Sequence, residues 1–318
     1  MLSLKKAVIL GATGPTGIHL ARELLAKGLA VRVVARHAEG LARCFANQNV
    51  ECLPADILEA AATRRAIEGC DVVFDCIGLP AERMRDHPAT ARTIADAISH
   101  TGARCVQVSS YWAYLPVVSL PLNEQHPRSG GVFYVQTRRE AEDILCRAGA
   151  AIVNLPDFFG PGVHASTLQQ ALAEAAAGTT MNWIGSVSVT REYVYVPDAM
   201  RAVARLAEHE AAYGERWIVP GAGPLTGQGV AEIAGRHLNR TVKVRAAGLW
   251  TLRLVSLFSR PLRQFLPMAP YYLQPISYDG GKLETLIGAI ETTPYDDAIG
   301  KTLDGLRGGS AETAGAGR

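Results

Sequence analysis

Through residue 155 the chain alternates short β-branched runs with Ala-, Arg- and Glu-rich segments of helical period. Strands are expected over 7–10, 30–34, 50–53, 72–76, 105–108 and 151–154, and helices over 18–27, 60–67, 89–99 and 138–147. Strands that alternate with helices need crossover connections, which build a parallel sheet covered on both faces. In that architecture ligands bind beyond the carboxyl ends of the strands, so the chemistry is sought just after each strand. From about residue 157 the regularity falls and Gly, Pro and aromatic residues rise, as in Phe158-Phe159-Gly160-Pro161-Gly162. The expected organisation is a doubly wound core over 1–156, a smaller mixed lobe over 157–307 with elements returning to the core, and a disordered Gly/Ala/Ser-rich tail over 308–318.

Directly after the first run stands Gly11-Ala12-Thr13-Gly14-Pro15-Thr16-Gly17, opening into a helix. Gly11 suits a tight turn, Gly14 lets backbone amides approach a pyrophosphate, and Gly17 lets helix and strand pack closely. Between a strand and a helix this loop predicts dinucleotide binding, with Thr13, Pro15 and Thr16 beside the phosphates. The second run ends in Ala35-Arg36-His37, with no acid before Glu39. A carboxylate there would accept the ribose 2′-hydroxyl; a guanidinium pairs with a 2′-phosphate instead, so Arg36 argues for NADP, with NAD as the alternative. Asp56, after the third run, is placed to accept from the adenine amino group or to cap the next helix.

Charge narrows the partners. Thirty-two Lys+Arg against 30 Asp+Glu give a formal +2, too balanced for the basic field of a nucleic-acid binder. Six cysteines without a C-x-x-C pair read as reduced, packed thiols, and no metal site is expected. No run reaches the length of a membrane span or signal h-region, so a cytoplasmic protein is expected. The stretch 248–266 is apolar with spaced arginines. It reads foremost as a core-facing helix of the second lobe, and otherwise as a membrane-surface helix or substrate lid.

After the fifth run come Ser109-Ser110-Tyr111-Trp112-Ala113-Tyr114, and then Tyr134-Val135-Gln136-Thr137-Arg138. With the glycine loop, Pro156-Asp157-Phe158-Phe159-Gly160-Pro161-Gly162 and Tyr193-Val194-Tyr195-Val196-Pro197-Asp198-Ala199, the chain resembles the extended or atypical short-chain dehydrogenase/reductase superfamily, the NAD-dependent epimerase/dehydratase-like group. The resemblance covers nearly the whole chain. It implies a Rossmann-type sheet with a C-terminal substrate lobe, Tyr134 as general acid/base and Ser110 as the hydroxyl that orients the reacting carbonyl. It further implies Cys76, Ile77 and Gly78 along the cofactor ribose, and Pro156 and Phe158 near the nicotinamide. Lysine is expected at 138, where this chain has Arg138; it is assigned to both catalysis and cofactor binding.

Chemistry independently asks for such a set. Hydride arriving at a carbonyl carbon builds alkoxide charge, so a proton donor and a second hydrogen-bond donor must converge on the oxygen. A cation four residues along a helix shares the tyrosine's face. Tyr111, Trp112, Phe159, Trp183 and Tyr193 are candidate substrate contacts, with His164 and Arg191 as polar candidates beside structural roles for each. The expectation is an NADP-favouring oxidoreductase acting on a carbonyl or alcohol of a small, largely apolar molecule, with a homodimer as an option. The alternatives are an epimerase or dehydratase, or a non-catalytic NAD(P)-binding sensor or assembly protein.

Overall fold

The computed structural model describes residues 1–164 and 166–315. Six strands, β1 (Lys6–Leu10), β2 (Ala30–Ala35), β3 (Glu51–Pro54), β4 (Val72–Asp75), β5 (Arg104–Ser110) and β6 (Ala151–Leu155), carry the first half. Between them run α1 (Pro15–Ala26), α2 (Ala38–Phe45), α3 (Ala60–Ile67), α4 (His87–Thr101) and α5 (Phe133–Arg147). The second half contributes β7 (Asp157–Phe159), α6 (Thr167–Ala176), β8 (Met181–Ile184), β9 (Thr190–Tyr195), α7 (Val196–Leu206), β10 (Arg216–Ile218), β11 (Pro224–Thr226), α8 (Gly227–Leu238) and β12 (Val244–Ala247). It ends with α9 (Leu249–Ser256), α10 (Arg260–Phe265), α11 (Ala269–Tyr272), α12 (Gly281–Ile287) and α13 (Tyr295–Gly315).

The main sheet is parallel in the order β10-β6-β5-β4-β1-β2-β3. Its inner strands are apolar on both faces. Ala7 and Ile9 of β1 enter one core layer, and Val8 and Leu10 enter the layer on the other side. This is why these strands read as continuous apolar runs rather than alternating ones. At the far edge β3 is mostly exposed and ends in Pro54, which blunts an edge that would otherwise pair with another chain. Strand order reverses between β1 and β4, so the switch point lies beyond their carboxyl ends.

Three elements of the second half return to the sheet: β10 pairs with β6, α7 packs on α1, and α12 packs on β10 and α7 with Leu283 and Ile287 in the same core layer. The rest builds a lobe with a three-stranded sheet, β11-β9-β7, and a parallel pair, β12-β8. A separate core holds it together, including Phe159, Leu172, Trp183, Tyr193, Ile233 and Ile299.

Several boundaries depart from expectation. Helix α5 begins five residues before the expected 138, which puts Tyr134 within the helix. Helix α13 runs through 308–315 of the stretch expected to be disordered, as a continuation of a helix whose Ala298, Ile299 and Leu303 are fully buried. The remaining tail residues, 316–318, lie outside the described residues. The segment 248–266 is two helices rather than one core-facing helix. Leu252 and Ser256 of α9 face inward, but Trp250, Leu254, Leu257 and Phe258 are exposed.

Candidate functional site

A cleft of about 690 Å³ opens at the switch point, lined from four successive βα connections. Gly11, Thr13, Gly14, Pro15 and Thr16 come from the first, Arg36 from the second, Asp56 from the third, and Cys76, Ile77 and Gly78 from the fourth; Phe158 of β7 closes one side. All were expected at the cofactor. Gly11 has φ +75°, and a Cβ there would sit 2.9 Å from the Cys76 carbonyl oxygen, so a side chain would be both strained and blocked. Gly17 does not line the cleft. A Cβ on it would lie 2.6 Å from the Ala12 Cα, so it works by letting α1 pack against the loop.

Helix α1 starts at Gly14 without a side-chain cap and with Pro15 in its first turn. Its first amides therefore face the cleft without a protein side chain to satisfy them, an arrangement that suits a phosphate. The turn after β4 is held by Asp75, whose carboxylate accepts the Ile77 amide at 3.1 Å and the Gln107 side-chain amide at 3.1 Å. Burial pushes the Asp75 carboxyl up, opposed by these two hydrogen bonds and by Arg138. Glycine cradle, uncapped helix start and open ribose-side turn together fit a dinucleotide. The structure also adds lining residues that the sequence reading missed: Arg43 from α2, Leu79 and Arg83 after β4, and Thr90 from α4. Arg36 and Arg43 are exposed and make no ion pair among the described residues.

Residues 11–151 match the protein-family model described as NAD(P)H-binding. That match covers less than half of the chain, and over it the chain is similar to NAD(P)H-binding domains. Over 161 residues it is 31% identical to a ceramide reductase of Caulobacter vibrioides (strain NA1000 / CB15N), a match covering 48% of this chain and 46% of that protein. The chain thus spans about half the length of the curated relative it matches. Among solved structures, a UDP-glucuronic acid 4-epimerase from Bacillus cereus with NAD superposes at TM-score 0.79 and 14% identity, covering 95% of this chain and 99% of that one. An epimerase from Methanothermobacter thermautotrophicus reaches TM-score 0.82 at 16% identity, covering 98% and 95%. The chain has the fold of these epimerases.

Beyond the cleft, β5 and α5 carry the remaining candidates. Ser109 donates its hydroxyl to buried Glu142 at 2.6 Å, a carboxylate also held by Arg128 and Asn154 at 2.7 Å each. Ser109 is thereby committed to the core. Ser110, at the end of β5, accepts only the Trp112 amide at 3.3 Å among the described contacts of its hydroxyl. Tyr134 lies in the first turn of α5 with its ring edge-on to Trp112 at 5.1 Å. Burial pushes its phenol up, against the opposing field of Arg138. Arg138 is half-buried; its Nε is enclosed and has no hydrogen-bond partner among the described residues. Its charge reaches Tyr134, Asp75 at the end of β4, and His87 at the start of α4. Tyr134, Arg138 and Pro156 do not line the cleft itself.

The substrate candidates divide sharply. Trp112 stays half-buried beside Tyr134, but Phe159, Trp183 and Tyr193 are packed into the lobe's core, where aromatic area stabilises most. Trp183 leaves so little room that a Cβ on Gly227 would meet its indole at 2.6 Å. Tyr111 is buried too, in a polar cluster. Arg191 donates to the Tyr111 hydroxyl at 2.9 Å and lies 3.4 Å from Asp157, which accepts the Tyr272 hydroxyl at 2.9 Å. The Arg191 guanidinium also donates to the Tyr271 and Gln274 carbonyls and stacks over the Tyr272 ring at 4.6 Å. Arg191 is thus structural, and His164 is exposed. Asp157 was legible beside Pro156, whereas Tyr272 arrives from more than a hundred residues away with no local signal.

Proposed function

We propose that the chain is an NADP-favouring reductase of a ketone or aldehyde on an apolar, lipid-like molecule. The observation that carries this reading is the pairing on α5: Tyr134 half-buried beside Trp112, with Arg138, whose enclosed Nε has no partner among the described residues, one helical turn on. When bound, a reduced nicotinamide supplies hydride to the carbonyl carbon. Tyr134 then gives its proton to the carbonyl oxygen, and Ser110 donates a hydrogen bond to the same atom. Burial holds the Tyr134 phenol above its ordinary value, which keeps the donor protonated through neutral pH. Arg138 stabilises the phenolate left behind and offers donors to the cofactor ribose. The likeness to a ceramide reductase supports an apolar substrate, and Trp112 beside Tyr134 supplies an aromatic wall for it. Arg36 and Arg43 favour NADP, since two cations without ion-pair partners among the described residues can pair with a 2′-phosphate on the adenosine side.

The test is NADPH oxidation with a long-chain aliphatic ketone dispersed in detergent. Turnover is expected, and Tyr134→Phe should lower kcat by about 10²- to 10⁴-fold while NADPH binding is kept. Unchanged kcat in the variant would remove Tyr134 from the reaction. NADPH binding without turnover on long-chain ketones or aldehydes would favour a non-catalytic sensor.

A further inference from the structure

We propose that α9 and α10 form a docking surface for an anionic lipid bilayer, and that the protein reduces its substrate from the membrane. The first observation is an inverted helix. Trp250 and Leu254 stand at i and i+4 on α9, and Leu257 and Phe258 follow in the turn that ends it; the four are 81%, 64%, 63% and 89% exposed. The opposite side carries Leu252 and Ser256, both buried, so the helix is already anchored and its apolar stripe is what remains outside. Five of the large apolar side chains exposed among the described residues fall within 250–258, counting Val255. A contiguous patch of this kind marks an interaction surface rather than the scattered exposure of ordinary proteins.

Charge selects the partner. Between Glu232 and Asp279 the sequence has no acidic residue, while it has Arg236, Arg240, Lys243, Arg245, Arg253, Arg260 and Arg263. Arg253 and Arg260 are exposed on the two helices, and Arg253 stacks over the Trp250 ring at 5.2 Å. A tryptophan with leucine and phenylalanine tips, flanked by arginines on a stretch with no acidic residue of its own, has the composition of an interfacial helix on anionic lipid. The same acid-free charge disfavours a second copy. A two-fold contact through this patch would bring Arg253 and Arg260 against their own images, with Glu82 beside Arg260 as a partial offset.

Position links the patch to the proposed reaction, and this part rests on the reductase reading. Phe265, at the end of α10, packs against Tyr272 at 5.0 Å; Tyr272 lies 6.5 Å from Trp112, which lies 5.1 Å from Tyr134. The exposed helices therefore continue into the aromatic wall beside the proton donor. Gln264 of α10 also donates to Glu82 in the connection after β4, whose neighbours Leu79 and Arg83 line the cofactor cleft. Among the described residues no helix is long and apolar enough to cross a membrane, so attachment through this face is peripheral.

The experiment is co-sedimentation of the full chain with vesicles of phosphatidylcholine alone or mixed with phosphatidylglycerol, read without substrate. Binding is expected only with phosphatidylglycerol present and should weaken at high salt. Arg253→Gln with Arg260→Gln should lower the apparent affinity by about 10- to 30-fold. Trp250→Ser with Phe258→Ser should abolish binding; melting temperature and NADPH binding, which these exposed positions should leave unchanged, check the fold. No binding to the mixed vesicles overturns the proposal, as does binding that neither double variant alters. So does a wild-type dimer that the Trp250/Phe258 variant converts to monomer. With the long-chain ketone, the same variant should lose turnover on vesicle-embedded substrate and keep it on detergent-dispersed substrate. Vesicle binding without turnover in any form would refute the reductase reading and leave the docking surface standing.

Discussion

The cofactor cleft and the substrate lobe solve opposite problems. The cleft is built with spare capacity: an uncapped helix start, a glycine turn without Cβ atoms, and two arginines without ion-pair partners among the described residues. Little must be displaced for a dinucleotide to enter. In the lobe, polar groups are largely spent on each other, with Arg191 holding Asp157, Tyr111 and two backbone carbonyls while aromatics fill the core. A polar cluster of that kind fixes a shape and recognises little by itself. Specificity for the second ligand must then come from what remains half-open near Tyr134, principally Trp112 and the α10–α11 segment.

The comparison breaks most visibly at Arg191. If the lobe cluster is structural, Arg191→Met should destabilise the fold by about 3–5 kcal/mol, because it strands a buried carboxylate. Denaturant unfolding would measure the loss. Adding Asp157→Asn should recover part of it by removing the unpaired charge. A loss below about 1 kcal/mol, or a full-strength fold with abolished catalysis, would make Arg191 a ligand-facing residue and erase the contrast between the regions.

The cleft should respond in the reverse way. Arg36→Ala removes an exposed cation and should leave stability within about 0.5 kcal/mol. Its cost should fall on NADPH affinity, by about 10- to 100-fold if a charge-assisted phosphate contact is lost, with NADH affinity unchanged. Calorimetry with both coenzymes separates the two. An equal effect on NADPH and NADH would assign Arg36 to some feature other than the 2′-phosphate.

The same division explains what the sequence can disclose. The cleft is made from βα connections, each readable from a few consecutive residues, so Gly11, Gly14, Arg36 and Asp56 are identifiable from local sequence, while Cys76 follows from the family resemblance. Arg43 is not identifiable in that way, because it lies inside the eight-residue α2 rather than in the connection that Arg36 occupies. In the lobe, adjacency is created by distant segments. Aromatic residues placed after strands look alike whether they meet a ligand or a core, and Phe159, Trp183 and Tyr193 meet the core. The segment 249–258 misleads for a further reason: its apolar residues have the period of a buried helix, but α9 ends at Ser256, and the packing of Leu252 and Ser256 leaves Trp250, Leu254 and the following turn outward.

The smallest effect tests the seam between the regions. His87 begins α4, is buried, and has an Nε2 without a partner among the described residues; burial, and secondarily the Arg138 charge, push its imidazole down to about 2. The fold therefore keeps His87 neutral, whereas the unfolded chain protonates it near its ordinary value of about 6.5. Below that value the unfolded state binds the extra proton, so this residue's contribution is present above about pH 6.5 and is lost as pH falls toward about 2. Between pH 6.5 and 5.5 the loss from this one group is about 1 kcal/mol. His87→Gln should remove that component, so the difference between wild-type and variant unfolding free energies should change by this amount over the interval. Groups common to both proteins, including buried His19 and the raised Asp75, Glu142 and Asp157 carboxyls, cancel in the difference. A pH-independent difference would mean that His87 takes up its proton in the fold. Arg138 would then not be directing its charge toward this seam, and its role beside Tyr134 would need another geometry.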